Sequence, residues 1–420
     1  MYQITRLKNG LTIATAEMPH MASVSLGIWV GVGGRYEPAE ISGVSHFIEH
    51  LLFKGTKKRS AEKISQDVEG IGGYLNAFTA EENTCFYSKA RCDRFDELLG
   101  VLADMFLNST FAPVEIERER NVIKEELAMY RDQPQQYVQE LLNETLWPDQ
   151  PLGCSLTGTE KTLDAINRQK LLEYFRQNYV ASATVVTVAG KLQHKQVVEA
   201  VSKLSRHLRT GKRSSFAPAA TKQTEPRVRL FTKNAEQTQI ALGIRTCSRH
   251  DERRYTLRLL NTILGENMSS RLFQTVREKH GLAYSIYSTP SYFDDTGDLV
   301  VSAGLDTENL EKALKLISRE IKQLTKKIIS PGELRRARDY VIGQLDMNLE
   351  NTESQMMWMG ENLLSYGKIN KPDEVKKRLR EVRASEIRAA ARDFFRPERM
   401  NLALVSPLKK NPGLQRILAR

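Results

Sequence analysis

The sequence predicts an α+β protein made of two similar, duplicated α/β-sandwich domains, each a mainly antiparallel sheet with helices packed on it. Three observations carry that reading. Strand-like segments open each half of the chain and helical ones follow. A linker-like stretch, HLRTGKRSSFAPAATKQTEPR (207–227), lies near the midpoint: it is basic, then rich in Ser, Ala and Thr, and lacks sustained periodicity. The two halves also echo each other in the same order, which a single unrepeated core would not require. The expected division is a first domain over 1–207, a linker over 208–226 and a second domain over 227–420.

Alternating polar and apolar residues predict strands over about 2–16 and 23–33. Helical spacing follows near 42–54 and 60–70. YLNAFT (74–79) and TCFYSKA (84–90) flank the turn Ala80–Asn83 and read as a hairpin. Helices are expected near 93–108, 114–131, 134–146 and 168–178, before the strand ATVVTVAG (183–190). The second half repeats parts of this. VSLGIWVGV (24–32) is matched by TQIALGIRT (238–246), with LGI recurring at an offset of 216. The stripe Phe95, Leu98, Leu99, Leu102, Phe106 is matched by Leu310, Ala313, Leu314, Ile317, Ile321 at an offset of 215. NVIKEEL (121–127) faces YVIGQLD (340–346) at an offset of 219. Offsets this long indicate a duplicated domain, since solenoid repeats run only about 20–50 residues.

Composition narrows the classes of function. With 40% hydrophobic and 27% charged residues in 420, the chain has enough apolar surface to fold, which excludes disorder over most of its length. No apolar run approaches the ~20 residues needed to span a bilayer. The N-terminus lacks the basic start, apolar centre and cleavage site of a secretory signal, so a cytoplasmic location is expected. Cys85, Cys92, Cys154 and Cys247 are scattered and form no Cys-x-x-Cys, so reduced, structural thiols are expected. The net charge of +11 sits mostly in mixed-charge helical stretches, which read as solvated faces and not as a nucleic-acid surface. GVGG (31–34) is not followed by the Lys-Ser/Thr of a phosphate loop.

The chemistry concentrates in His46-Phe47-Ile48-Glu49-His50. Two of only seven histidines flank one glutamate within five residues. On a helix, residues i and i+4 share a face, so both imidazoles reach one point. The order inverts that of the His-Glu-x-x-His zinc motif. A catalytic zinc takes three protein ligands and keeps a position open, so a third imidazole, thiolate or carboxylate is needed. His20, His194, His207, His250 and His280 sit in no comparable setting. In ERERNVIKEELAMY (117–130), however, Ile116, Glu119, Ile123, Glu126 and Tyr130 form one stripe. Two carboxylates on an otherwise apolar face cost free energy to bury, and a divalent cation would remove that cost. Glu125 points about 100° away from the stripe, which favours Glu126 as the third ligand.

These residues and their order resemble the M16 peptidase family, the group of pitrilysin, insulin-degrading enzyme and mitochondrial processing peptidase. The resemblance runs through HFIEHLLFKGT, GGYLNAFT, ERERNVIKEELAMY and PLGCSLTGT, and in the second half through SSRLFQTVREKHGLAYSIYS. It implies the LuxS/M16 peptidase-like metalloenzyme fold in its short, two-domain bacterial form, and hydrolysis of peptide bonds with one Zn2+ per chain. It assigns His46, His50 and Glu126 as zinc ligands, Glu49 as general base and Glu119 as a carboxylate behind the ligands. Asn76 and Ala77 fall where the family's edge strand pairs with substrate backbone, and Arg277 and Tyr284 match a pair that reaches substrate and stabilises the oxyanion. Two imidazoles and one carboxylate leave zinc at net +1, which lowers the pKa of bound water towards ~7.

The second copy has no His-x-x-Glu-His, and Leu345 stands where the first offers Glu126, so the first half is expected to hold the metal. The resemblance further implies peptide or unfolded-polypeptide substrates enclosed in a chamber, and a homodimer or a heterodimer with a related subunit, without nucleic acid or membrane. Processing peptidases read basic presequences through acidic residues after the third ligand. Glu140 fits that pattern and Gln136 does not, so a broader peptide preference is equally expected. The rival expectation is a non-catalytic subunit of the same fold with an assembly or regulatory role, against which the complete ligand set argues.

Overall fold

Eleven strands form two sheets in the computed structural model, which describes residues 2–220, 222–410 and 413–418. The first sheet holds β1 (Tyr2–Arg6), β2 (Thr12–Glu17), β3 (Ser23–Val30), β4 (Tyr74–Thr79), β5 (Thr84–Arg91) and β6 (Thr184–Gly190) in the order β1-β2-β6-β3-β5-β4. The second holds β7 (Arg227–Thr232), β8 (Thr238–Arg245), β9 (Ala283–Tyr292), β10 (Gly297–Leu305) and β11 (Met400–Ser406) in the order β7-β11-β8-β10-β9. Once the extra edge strand β1 is set aside, the two orders correspond strand for strand. Each sheet is antiparallel except for one parallel pair, β2–β6 and β7–β11. The LGI echo occupies equivalent places: Leu26 faces Val188 on β6, and Leu242 faces Leu402 on β11. The duplication expected from the sequence is present in the topology.

The stretch expected as one strand over 2–16 is instead the hairpin β1–β2, with Tyr2 opposite Ala16. Asn9-Gly10 turns the chain, and Gly10 takes φ +98°, which an L side chain resists. Alternation continues on both sides of the turn, which is why pattern alone did not separate the two strands.

The helices are α1 (Val44–Leu52), α2 (Ala61–Glu69), α3 (Phe95–Asn108), α4 (Pro113–Asp132), α5 (Pro134–Leu146), α6 (Glu160–Ala165), α7 (Arg168–Asn178) and α8 (His194–Ser205). Beyond the midpoint come α9 (Arg253–Asn261), α10 (Leu310–Lys326), α11 (Pro331–Asn348), α12 (Thr352–Tyr366), α13 (Pro372–Glu381), α14 (Ala384–Phe394) and α15 (Leu414–Leu418). No described helix is long and apolar enough to cross a membrane.

The chain forms two compact units, and they are discontinuous in sequence, unlike the linear division at 1–207 and 227–420. The first comprises Met1–Leu127, Cys154–Ala217 and Met347–Asn370; the second comprises Ala128–Gly153, Pro218–Asp346 and Lys371–Arg420. The halves exchange one helix. α12 packs on β2, β3 and β6 of the first sheet, while α5 packs on β8 and β11 of the second. In the first unit Met356 and Met359 of α12 lie in a buried cluster with Ala14, Trp29 and Cys85. In the second, Val138, Leu141, Leu142 and Leu146 of α5 bury against Ala241, Ala403 and Val405.

The repeated LGI glycine acquires its reason here. A Cβ on Gly27 would collide with Met356 Sδ, and one on Gly243 would stand 2.7 Å from Leu146 Cδ1 and 3.1 Å from Leu142 Cδ1. Each sheet carries a glycine beneath side chains of the exchanged helix. The expected linker is partly strapped down: Arg35 lies 3.9 Å over the Phe216 ring and donates to Ala217 O at 3.3 Å. Gly243→Val raises strand propensity and should stabilise an open strand. Against α5 it is expected to destabilise by about 2 kcal/mol, read as a lower midpoint of urea unfolding.

Candidate metal centre

The site starts from how α1 begins. Gly43, with φ +94°, precedes the helix, and a Cβ there would stand 2.7 Å from Thr157 O. Glu37 accepts from Gly43 N–H at 2.6 Å and from Ser45 N–H at 2.8 Å, so one carboxylate satisfies two otherwise orphaned donors of the first turn. Burial pushes the Glu37 carboxyl up to about 7, and the hydrogen bonds from Ser45 and Gly43 work against that rise. Val44, Phe47, Ile48, Leu51 and Leu52 turn into the core. The 3.6-residue period then leaves His46, Glu49 and His50 together on the half-buried side.

Helix α4 supplies the other wall. Ile116, Glu119, Ile123 and Leu127 are buried, Glu126 is half-buried and Glu125 is exposed, as the stripe required. Glu126 Oε2 lies 3.7 Å from His46 Nε2 and 3.7 Å from His50 Nε2. All three ligand atoms fall within 4.8 Å of one another. A tetrahedral ion with bonds of ~2.1 Å keeps its donors roughly 3.4 Å apart, so these atoms fit around one cation with little movement. Among the described residues this is the one group of three or more His, Cys, Asp or Glu side chains that converges in this way.

The surrounding hydrogen bonds favour ligation. His50 Nδ1–H donates to Glu119 Oε2 at 3.0 Å, which leaves Nε2 with its lone pair on the Glu126 side. Glu119 Oε1 is held at 2.9 Å by Lys54. The His46 and His50 rings meet edge to face at 4.6 Å. Burial, and then the neighbouring His50, depress His46 to about 4, while Glu126 pulls the other way. His46 is therefore neutral, the state that binds a metal. Glu49 is hydrogen-bonded on one oxygen, Oε2, by the Thr79 hydroxyl at 2.5 Å. Burial raises the Glu49 carboxyl above its usual range, against the opposing pull of Thr79 and His50. A carboxyl raised in this way is better matched to proton transfer near neutral pH.

Asn76 and Ala77 lie on β4, the edge strand of the first sheet, paired with Tyr87 and Phe86 of β5. Asn76 is exposed, and its Oδ1 accepts from Ala77 N–H at 2.8 Å. Arg277 and Tyr284 belong to the second unit. Arg277 sits in the π-helical turn Phe273–Lys279, with its guanidinium 4.8 Å over Phe273 and 5.6 Å over Tyr284. Tyr284 is 78% exposed. The sequence reading did not single out Lys54 or Thr79. Lys54 stands four residues after His50, a spacing that hints at a shared face, whereas no spacing signals a strand hydroxyl meeting a helix carboxylate.

In the second unit the helix after β8 continues into the π-helical turn Thr262–Glu266. There Glu266 Oε1 accepts from Arg258 Nη2 at 2.5 Å, and Glu266 Oε2 accepts from Thr262 Oγ1 at 2.6 Å. A guanidinium already neutralises the carboxylate at that end of the second unit's helix.

Comparison with known proteins agrees with this asymmetry. The profile of insulinase (peptidase family M16) matches residues 12–160, and that of the peptidase M16 inactive domain matches residues 165–341. An uncharacterized zinc protease of Bacillus subtilis is 37% identical, covering 97% of this chain and 98% of its own. Another, of Streptomyces coelicolor, is 36% identical over 96% of this chain and 89% of its own. The crystal structure of a protease from Helicobacter pylori shares the fold, with a TM-score of 0.91 at 21% identity over 97% of this chain and 99% of that one.

The depressed His46 predicts a pH-dependent stability of the metal-free protein. Between about 4 and the ordinary histidine value near ~6.5, the unfolded chain binds more protons than the folded one. The His46 contribution to stability should therefore fall as pH drops through that window, by about 3 kcal/mol, while the raised carboxyls of Glu37 and Glu49 act in the opposite direction, so it is read as the difference between wild type and a His46 variant. His46→Gln should remove that contribution in urea titrations.

Proposed function

This chain belongs to the insulinase family of peptidases, family M16, and from that premise we propose that it is a zinc-dependent endopeptidase acting on peptides or unfolded polypeptide segments. The observation that carries the proposal is the meeting of His46 Nε2, His50 Nε2 and a Glu126 oxygen, with Glu49 anchored beside them by Thr79. Two nitrogens and one oxygen are the donor set of a catalytic zinc, which takes three protein ligands and keeps a fourth position for water. Zinc held there supplies Lewis-acid activation of water and of the scissile carbonyl.

The protein's own groups do the rest. His46 and His50 would hold the metal through Nε2, with His50 fixed by its far nitrogen on Glu119. Glu49 takes the proton from the attacking water and returns it to the leaving amine. Its half-buried, desolvated setting raises its affinity for that proton. β4, as the edge strand, offers backbone groups to an extended peptide, so Asn76 and Ala77 bind substrate by strand addition. Recognition through backbone tolerates varied side chains, in keeping with a broad preference. Arg277 and Tyr284 are assigned to substrate carbonyl or oxyanion contact. The guanidinium lies 5.6 Å over the phenol ring, and the exposed phenol has a hydroxyl to donate.

Metal analysis should find about one zinc per chain, and a chelator should abolish cleavage of a mixed peptide pool. Glu49→Gln should keep zinc while kcat falls about 10³-fold; a zinc-loaded, active variant would remove Glu49 from the base role. Glu126→Gln should weaken zinc binding by about 100-fold, whereas Glu125→Gln should change it little, as read by chelator competition.

A further inference from the structure

Lys54 sits two residues beyond the end of α1, where its backbone N–H donates to Leu51 O at 3.1 Å and fixes the turn. Its ammonium reaches Glu119 Oε1 at 2.9 Å. We infer that Lys54 is a positioning residue for the metal centre, acting through Glu119 to orient His50; this rests on the zinc reading above.

The Glu119 side chain is only 4% exposed, so water cannot hold its carboxylate in place. Its two oxygens divide between two partners: Oε2 accepts from His50 Nδ1–H at 3.0 Å and Oε1 meets Lys54. Among the described residues, Lys54 and His50 are the only basic side chains in ion-pair contact with Glu119. A carboxylate gripped at one oxygen cannot rotate, so the other oxygen stays aimed at Nδ1. An imidazole is rigid, and a fixed Nδ1 fixes the direction of Nε2, which faces Glu126 Oε2 at 3.7 Å.

The linkage also joins two elements. Lys54 and His50 come from the α1 side, while Glu119 and Glu126 come from α4, two turns apart. The Lys54 grip therefore holds α4 against α1 at the point where the ligands must converge. An exposed ion pair contributes little, but this one has a buried acceptor and a second, directional hydrogen bond on the same carboxylate.

The test is zinc affinity, measured by competition against a chromophoric chelator, which needs no catalytic readout. Lys54→Met should weaken zinc binding by about 10-fold or more, the range found for outer-shell partners of metal-bound histidines. Lys54→Arg should restore affinity to within about 3-fold, because it keeps a cationic donor. If Lys54 acts through Glu119, the Lys54→Met/Glu119→Gln double variant should lose no more than Glu119→Gln alone. Thermal midpoints of the metal-free variants separate lost folding from lost positioning. Unchanged affinity in Lys54→Met, or a double variant whose losses multiply, would overturn the inference while leaving the zinc reading intact. A wild-type chain that takes up no zinc would end both.

Discussion

The first unit depends on one electrostatic constraint: two carboxylates on the inward stripe of α4 must meet positive or donor groups where α4 lies against α1. Glu119 is buried and half-buried Glu126 lies beside it, two turns along the same face. Left unpaired, they would cost several kcal/mol. The protein answers with His50 and Lys54 for Glu119, and sets Glu126 between two imidazole nitrogens where a divalent cation completes the balance. Helix packing and the convergence of groups that could hold a metal thus come from the same residues. Groups that would destabilise a plain core become the reason for α1 and α4 to hold a defined register.

The second unit shows what the same topology does without that constraint. Its strand order repeats the first, but the helix after β8 ends in a π-helical turn where Arg258 and Thr262 occupy the Glu266 carboxylate. An internal guanidinium neutralises that carboxylate, and no converging trio of His, Cys, Asp or Glu side chains forms in the second unit among the described residues. The repeated topology gives two scaffolds, and among the described residues only the first brings together a trio, from α1 and α4, that could hold a metal. In the same unit the Arg277 guanidinium sits over the rings of Phe273 and Tyr284.

The exchange of α5 and α12 explains a feature of the sequence that looked like ancestry alone. Gly27 and Gly243 recur at matching positions because each lies under an incoming helix, beneath Met356 in one unit and beneath Leu146 and Leu142 in the other. Close approach of a helix to a sheet leaves no space for a Cβ, so the glycine is held by sterics at both places. The exchange also explains why the compact units cannot be cut from the chain at one point.

Local periodicity was enough to place most helices and strands, because the 3.6- and 2-residue repeats are written in consecutive side chains. The His-x-x-Glu-His pentad and the α4 stripe were legible for the same reason, and Glu126 could be chosen over Glu125 from helical phase alone. The turn at Asn9-Gly10 was hidden by alternation on both flanks. What the sequence could not determine are contacts between segments far apart in the chain: Thr79 on Glu49, Lys54 on Glu119, and the swap of α5 for α12. These depend on which surfaces the folded chain brings within ~3–4 Å of each other, and no spacing along one segment encodes that distance. The chain by itself pointed to His46, His50 and Glu126, to the helices that carry them and to the first copy; the tertiary structure decided which partners hold these side chains and brought their donor atoms within 4.8 Å of one another.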